Sequence, residues 1–341
     1  MKEHSKNRLE EILNKLPESE LSTGQLQEIL NKIRNIKVNV LLIGGTGVGK
    51  SSTINALFSM DKAKISANAK IGHGVTPETK EIQKYELENI ILWDTPGLGD
   101  NENDDDKYKK MIVAKLQEED DDKNALIDLV LLILDAGSRD YSSAFTLIKE
   151  VIVQNLKGQH ERLLIGINQA DLAMKGKGWN IEKNQPDDEL IRVLEEKVID
   201  AKIRILKSSG IDTEPVYYSA GYSYKDDHRN PYNMEKLLNY ILKRLPEKKR
   251  FVILNDLNSD EDNFKDNDSK NDYKSENEGY FGNSFFSFLT FIGTAIKSIY
   301  TFLQDNPDIT ETIKELFKGK SSRNQNSTSK EKHRKNNKKR R

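Results

Sequence analysis

The chain has 341 residues, 32% of them charged and 35% hydrophobic, with a formal net charge of −1 and no cysteine. That length accommodates one large α/β domain with appendages, and the low apolar share points to segments that stay disordered. The missing cysteines exclude disulfides, thiolate metal sites and cysteine nucleophiles, and the near-zero charge excludes a global field for nucleic acid. Residues 1–36 are highly charged and lack the apolar core of a signal peptide, so a cytoplasmic location is expected.

Apolar residues recur at helical spacing over 5–16 (Leu9, Ile12, Leu13, Leu16) and over 22–35 (Leu26, Ile29, Leu30, Ile33). With Pro17 between them and Ser22 as an N-cap, residues 1–36 read as a helical pair packed on the main domain. Residues 38–43 form an apolar run of the kind buried on both faces of a sheet. The glycines Gly44, Gly45, Gly47 and Gly49 follow, and Lys50, Ser51 and Ser52 open a helix. This strand, glycine-rich loop and helix form a P-loop. The backbone N–H groups of Gly45, Thr46, Gly47, Val48 and Gly49 and the helix N-terminus at Ser51 and Ser52 are expected to cradle a polyphosphate. Lys50 would bridge the β and γ phosphates, and the Ser51 hydroxyl would ligate Mg²⁺.

A polar stretch, 59–80, reads as a mobile loop ending in GVTPETK, followed by a hairpin over 81–87 and 90–94 that closes on DTPG. An acid-rich loop spans 97–106. Its run Asp104–Asp106 suits a helix dipole and solvent rather than a metal. Helical spacing resumes over 108–116. Buried strands are expected at 126–135, 163–168 and 216–219, with helices at 141–156, 187–206 and 233–244. Strands alternating with helices imply an α/β fold with a mostly parallel sheet flanked by helices.

Four further signals fall at the carboxyl ends of these strands, where open α/β sheets bind ligands. Asp94 can hold Mg²⁺ through water, and the Gly97 N–H can meet a γ-phosphate. Thr76 is placed to ligate Mg²⁺ when its loop closes, whereas His73 reads as a solvated loop histidine. Asn168, Gln169 and Asp171 end another strand, and the Asp171 carboxylate can accept both N1–H and the 2-amino group of guanine. Adenine offers no such donor pair, so Asp171 selects the base. Ser219 and Ala220 close the last strand, where a backbone N–H can meet guanine O6. Lys50, Thr76 and Gly97 are the candidate catalytic groups, and Ser51, Thr76 and Asp94 the candidate metal ligands. No Ser–His–Asp arrangement competes with this nucleotide site.

With these elements in order, residues 37–250 resemble a translation-factor-related, Era-like GTPase. The segments LWDTPGLGD, LLILDAGSRD, GINQAD and KRLPEKKR are most similar to the bacterial YfjP/YeeP-like GTP-binding proteins. The resemblance implies a P-loop NTPase G domain that binds GTP or GDP with Mg²⁺, hydrolyses GTP slowly and changes conformation with the nucleotide. Three positions depart from common family forms. Gln169 stands where a lysine stem usually stacks on the base, and Leu98 stands where Ras-like proteins carry a water-orienting glutamine. Gly47 stands where potassium-activated relatives carry asparagine. Slow turnover is therefore expected unless a partner or a second copy completes the site; the alternative is a nucleotide-gated module with little intrinsic turnover, whose output is docking on a membrane or a partner.

The domain is expected to end near residue 250. Residues 251–279 read as an acidic disordered linker, since 255–278 carries nine acids against three lysines. Residues 280–318 form a Phe-rich helical segment, with Phe285, Phe288, Leu289, Ile292 and Ile296 on one face. Three roles are open for 280–303: an in-plane helix at a membrane surface, packing or self-association, and a membrane span. Residues 319–341 read as a basic disordered tail. The stretch 318–341 carries eleven basic residues against one acid; a solvated charged tail is its default reading, with attraction to anionic lipid or RNA as alternatives.

Overall fold

The computed structural model describes residues 9–10, 23–60, 64–65, 81–97, 102–224, 227–265 and 271–293. Thr76, His73 and Leu98, most of the first expected helix, the second half of the expected Phe-rich segment and the basic tail lie outside them. A seven-stranded sheet forms the centre, in the order β2 (Lys64–Ile65), β3 (Gln83–Glu86), β4 (Ile90–Asp94), β1 (Val38–Gly44), β5 (Leu129–Asp135), β6 (Leu163–Asn168) and β9 (Val216–Tyr217). The pairs β4–β1, β1–β5, β5–β6 and β6–β9 are parallel, whereas β2 and β3 add antiparallel at one edge.

Every residue of β1 is buried because the strand has helices on both faces. Its alternating side chains feed two cores. Val38, Val40 and Leu42 join the core beneath α1 (Thr23–Asn35), α2 (Lys50–Leu57) and α7 (Met234–Arg244). Leu41 and Ile43 join the other, under α3 (Glu102–Gln117), α4 (Ser142–Leu147) and α6 (Asp188–Ser209). The expected mostly parallel sheet flanked by helices is what forms.

Several local expectations are corrected. The stretch read as loop over 59–80 contributes the edge strand β2. The single helix over 141–156 is α4, then a π-helical turn at Ile148–Ile152, then α5 (Val153–Asn155). The last parallel strand stops at Tyr217, because the Ser219 N–H turns to bond the Tyr232 carbonyl at 3.1 Å. Two small hairpins, β7–β8 (Trp179–Asn180 with Gln185–Pro186) and β10–β11 (Tyr222–Tyr224 with Asp227–Arg229), lie beyond the main sheet.

The largest correction concerns the expected linker 251–279. Phe251–Asn255 forms a 3₁₀ turn with Phe251, Val252 and Ile253 fully buried. The next residue, Asp256, accepts from three backbone N–H groups, those of Glu88, Asn89 and Ile90, at 3.1, 2.7 and 2.8 Å. Asn255 accepts from the Leu9 N–H and donates to Asn89 Oδ1, and Asn89 Nδ2 donates to the Ile33 and Ile36 carbonyls. One polar cluster thus fastens α1, the start of β4 and the C-terminal segment together. The last helix among the described residues, α8 (Tyr273–Gly293), begins inside the expected linker. Its Phe281, Phe285, Phe288 and Leu289 are buried in the core of α1, α2 and α7, with Phe251 5.4 Å from Phe285 and 5.0 Å from Phe288 between ring centres. Among the described residues, no helix is long and apolar enough to cross a membrane.

Candidate functional site

The loop after β1 returns into α2 through Gly49, which holds φ at 86°. A Cβ there would run into Asn168 Nδ2, so only glycine lets the asparagine reach across. Asn168, the last residue of β6, donates to the Val48 carbonyl at 2.9 Å and accepts from the Ala220 N–H at 2.9 Å. One buried side chain therefore ties together three segments distant in sequence. Gln169, in a left-handed conformation with φ 63°, adds a bond from Nε2 to the Gly47 carbonyl at 2.8 Å. Its amide braces the phosphate loop from the base side.

The β4 end is brought beside this loop by register, Asp94 lying opposite Leu42. Thr95 donates to the Leu42 carbonyl at 2.8 Å and shares a hydrogen bond with the Tyr108 hydroxyl at 3.1 Å, which holds the DTPG turn down. A Cβ on Gly97 would collide with Thr46 Oγ1 and lie 2.7 Å from the Thr46 nitrogen, so this glycine permits the turn to touch the phosphate loop. Lys50 Nζ donates to the Gly44 and Gly45 carbonyls at 3.0 and 3.2 Å, and Ser51 stands exposed in the first turn of α2. Thr53 Oγ1 bonds the Gly49 carbonyl and the buried Tyr218 hydroxyl, at 2.8 and 2.9 Å.

Asp94 is 7% exposed, and its Oδ1 takes no hydrogen bond among the described residues. Burial pushes its carboxyl up to about 6, against the opposing pull of the Lys50 charge. A buried carboxylate with an unused oxygen beside a phosphate loop fits a cation, so Asp94 and Ser51 are the described residues that could hold Mg²⁺. No group of three or more His, Cys, Asp or Glu side chains placed to hold a metal occurs among the described residues.

At the base end, Asp171 is 6% exposed and follows Asn168 through a 3₁₀ turn. Its Oδ1 accepts from Ser219 Oγ at 2.8 Å and its Oδ2 from Arg229 Nη1 at 3.1 Å. The backbone N–H groups expected to meet guanine O6 are engaged within the protein, Ser219 with the Tyr232 carbonyl and Ala220 with Asn168. Sequence reading did not single out Thr53, Tyr218, Tyr108 or Arg229. Tyr218 and Thr53 directly adjoin motif residues, which is a usable signal; Arg229 carries none.

Residues 39–169 match the model of the 50S ribosome-binding GTPase family. The tRNA modification GTPase MnmE of Sulfurovum sp. (strain NBC37-1) is 34% identical over 148 residues, which is 43% of this chain and 30% of that protein. Septin-8-B of Xenopus laevis is 33% identical over 76 residues, or 22% of this chain and 18% of that one. The chain thus spans about a third or less of the length of these curated relatives. Among solved structures, the bacterial dynamin GTPase LeoA from ETEC aligns over 72% of this chain and 43% of its own at 16% identity and a TM-score of 0.42. The G domain of the T. maritima FeoB iron transporter aligns over 61% and 98% at 20% identity and a TM-score of 0.32.

Proposed function

From a chain whose residues 39–169 carry a P-loop GTPase G domain, we propose a slow GTPase that hydrolyses GTP to GDP and phosphate and switches conformation with the nucleotide. The observation that carries this reading is the Asn168 side chain, which locks the phosphate loop at Val48 to the base loop at Ala220. The chain's own residues then act by position and charge. The P-loop amides and Lys50 hold the phosphates, with Lys50 exchanging its two carbonyl bonds for phosphate oxygens. Gly97 brings the DTPG backbone against the same loop, and Asp171 reads guanine. Bound Mg²⁺ would neutralise phosphate charge, with Ser51, Asp94 and Thr76 as its ligands.

Leu98 offers no polar group to orient water, so intrinsic turnover is expected on the order of 10⁻³ s⁻¹ or slower. A partner or a second copy would raise it. Burial of Phe281, Phe285, Phe288 and Leu289 on the domain favours packing over membrane docking for the first part of the Phe-rich helix. The basic stretch after residue 318 is proposed to contact RNA or anionic lipid. The protein is proposed to act in the cytoplasm.

Phosphate release from GTP and from ATP tests the reading, with Lys50→Ala as the control. GTP alone should be consumed, and Lys50→Ala should lower GDP affinity more than about a hundredfold. Equal use of ATP would sink the guanine assignment. Turnover unaffected by Lys50→Ala would place the chemistry elsewhere. Repeating the assay with anionic vesicles, and with RNA, identifies which surface acts on turnover.

A further inference from the structure

The proposed base site contains a charge that its motifs do not explain. Arg229 ends β11, in the hairpin that leaves the base loop at Gly221. Gly221 sits at φ 75°, where a Cβ would lie 2.5 Å from the Arg229 carbonyl oxygen. The outgoing and returning backbones are therefore pressed together, and the return delivers the Arg229 side chain to Asp171. There Nη1 meets Oδ2 at 3.1 Å, with the two side chains 29% and 9% exposed. Gln169, two residues before Asp171, carries no charge, and Arg229 is the cation paired with Asp171 among the described residues.

An ionised carboxylate offers about four acceptor positions, two on each oxygen. Ser219 takes one on Oδ1 and Arg229 takes one on Oδ2. One position is left on each oxygen, which matches the adjacent N1–H and 2-amino donors of guanine. The contact between Arg229 and Asp171 joins one nitrogen to one oxygen, so the guanidinium does not fork across the edge a base would need. Without a cation, a carboxylate this deeply buried would bear its desolvation cost alone and lose one of the two bonds that fix its plane.

We infer that Arg229 is a positioning residue for base selection. It neutralises Asp171 and, together with Ser219, fixes the carboxylate with its free edge toward the guanine N1–H and 2-amino group. The inference rests on the guanine-nucleotide reading of the site.

The test is calorimetric titration of the full chain with GDP and with inosine diphosphate, whose base lacks the 2-amino group. Wild type is compared with Arg229→Ala, Arg229→Gln and Arg229→Lys, each checked for folding by thermal unfolding. Arg229→Ala should weaken GDP binding about tenfold and inosine diphosphate by about threefold or less, so the preference for guanine narrows. Arg229→Gln keeps a donor without the charge and should give the same narrowing, including in the event that the alanine variant unfolds. Arg229→Lys should recover most of the preference. Equal weakening of both nucleotides, with no recovery by lysine, would mean a general structural role and overturns the inference. Unchanged GDP affinity also overturns it. Tighter GDP binding by Arg229→Ala overturns it in the opposite sense, by showing that the guanidinium occupies the place of guanine. If wild type itself binds neither nucleotide, the guanine reading fails first and the inference falls with it.

Discussion

Two buried carboxyl groups face opposite ends of β4, and they are used differently. Asp256 sits where the strand begins, 1% exposed, and receives three backbone N–H groups. Asp94 sits where the strand ends, 7% exposed, with one oxygen that receives nothing among the described residues. Burial pushes each up to about 6. A saturated carboxylate holds backbone together, and its chemistry is spent inside the fold. An unsaturated one, buried beside a lysine and a phosphate loop, keeps capacity for something outside the fold. Burial alone separates neither role; the count of donors does.

The comparison breaks if the Asp256 end of the sheet is less tightly built than its contacts indicate. The largest expected effect there is Phe285→Ala, which removes a fully buried ring packed at a tilt against Phe251. It should lower unfolding free energy by about 4 kcal/mol, read from the urea midpoint. A loss under about 1 kcal/mol would mean that α8 is detached from the domain in solution.

The next effect sharpens the contrast between the two acids. Asp256→Ala strands three buried N–H groups and should cost about 3 kcal/mol of stability, leaving GDP affinity of the folded protein unchanged. Asp94→Ala should do the reverse. Stability should hold or rise, because a poorly satisfied buried group is removed, while Mg²⁺-dependent nucleotide affinity falls about tenfold. A stability loss for Asp94→Ala as large as for Asp256→Ala would erase the distinction.

The smallest effect is in pH. Both carboxyls have folded values raised to about 6, above those of the unfolded chain, so the folded state retains protons that the unfolded chain has already released. Their contribution is therefore full at about pH 4 and below, and is lost as pH rises through about 6. Without nucleotide or Mg²⁺, this part of the stability should decline by on the order of 2 kcal/mol per group across that window. Asp256→Asn and Asp94→Asn should each flatten about half of the decline, as measured by urea unfolding at several pH values. A steeper decline in either variant would contradict the assigned direction.

The motifs at the proposed nucleotide end of the sheet were largely legible in the sequence, and the packing at the opposite end was not. Gly49, Lys50, Asp94, Asn168 and Asp171 are legible because phosphate and base recognition demand particular residue types at short fixed spacings, just after buried apolar runs. The 251–279 stretch misled because a count of charges does not see where a carboxylate's donors are. Asp256 finds its donors 166 to 168 residues away in the chain, at Ile90, Asn89 and Glu88. The apolar trio Phe251, Val252 and Ile253 is too short to announce an element by periodicity. It gains meaning only beside Phe285 and Phe288. Arg229 was invisible for the same reason: its pairing with Asp171 spans 58 residues and crosses two hairpins.

By itself, the sequence determined the α/β class, the mostly parallel sheet flanked by helices, and the P-loop pattern between a buried strand and a helix. These follow from local periodicity and from local chemical spacing, which a linear reading contains. Only the tertiary structure decided which charged groups are saturated, which remain open, and that the C-terminal phenylalanines close the core of the domain. Those outcomes depend on contacts made across the chain. Whether a buried polar group finds a partner is a property of the packed fold, and no stretch of sequence specifies it alone.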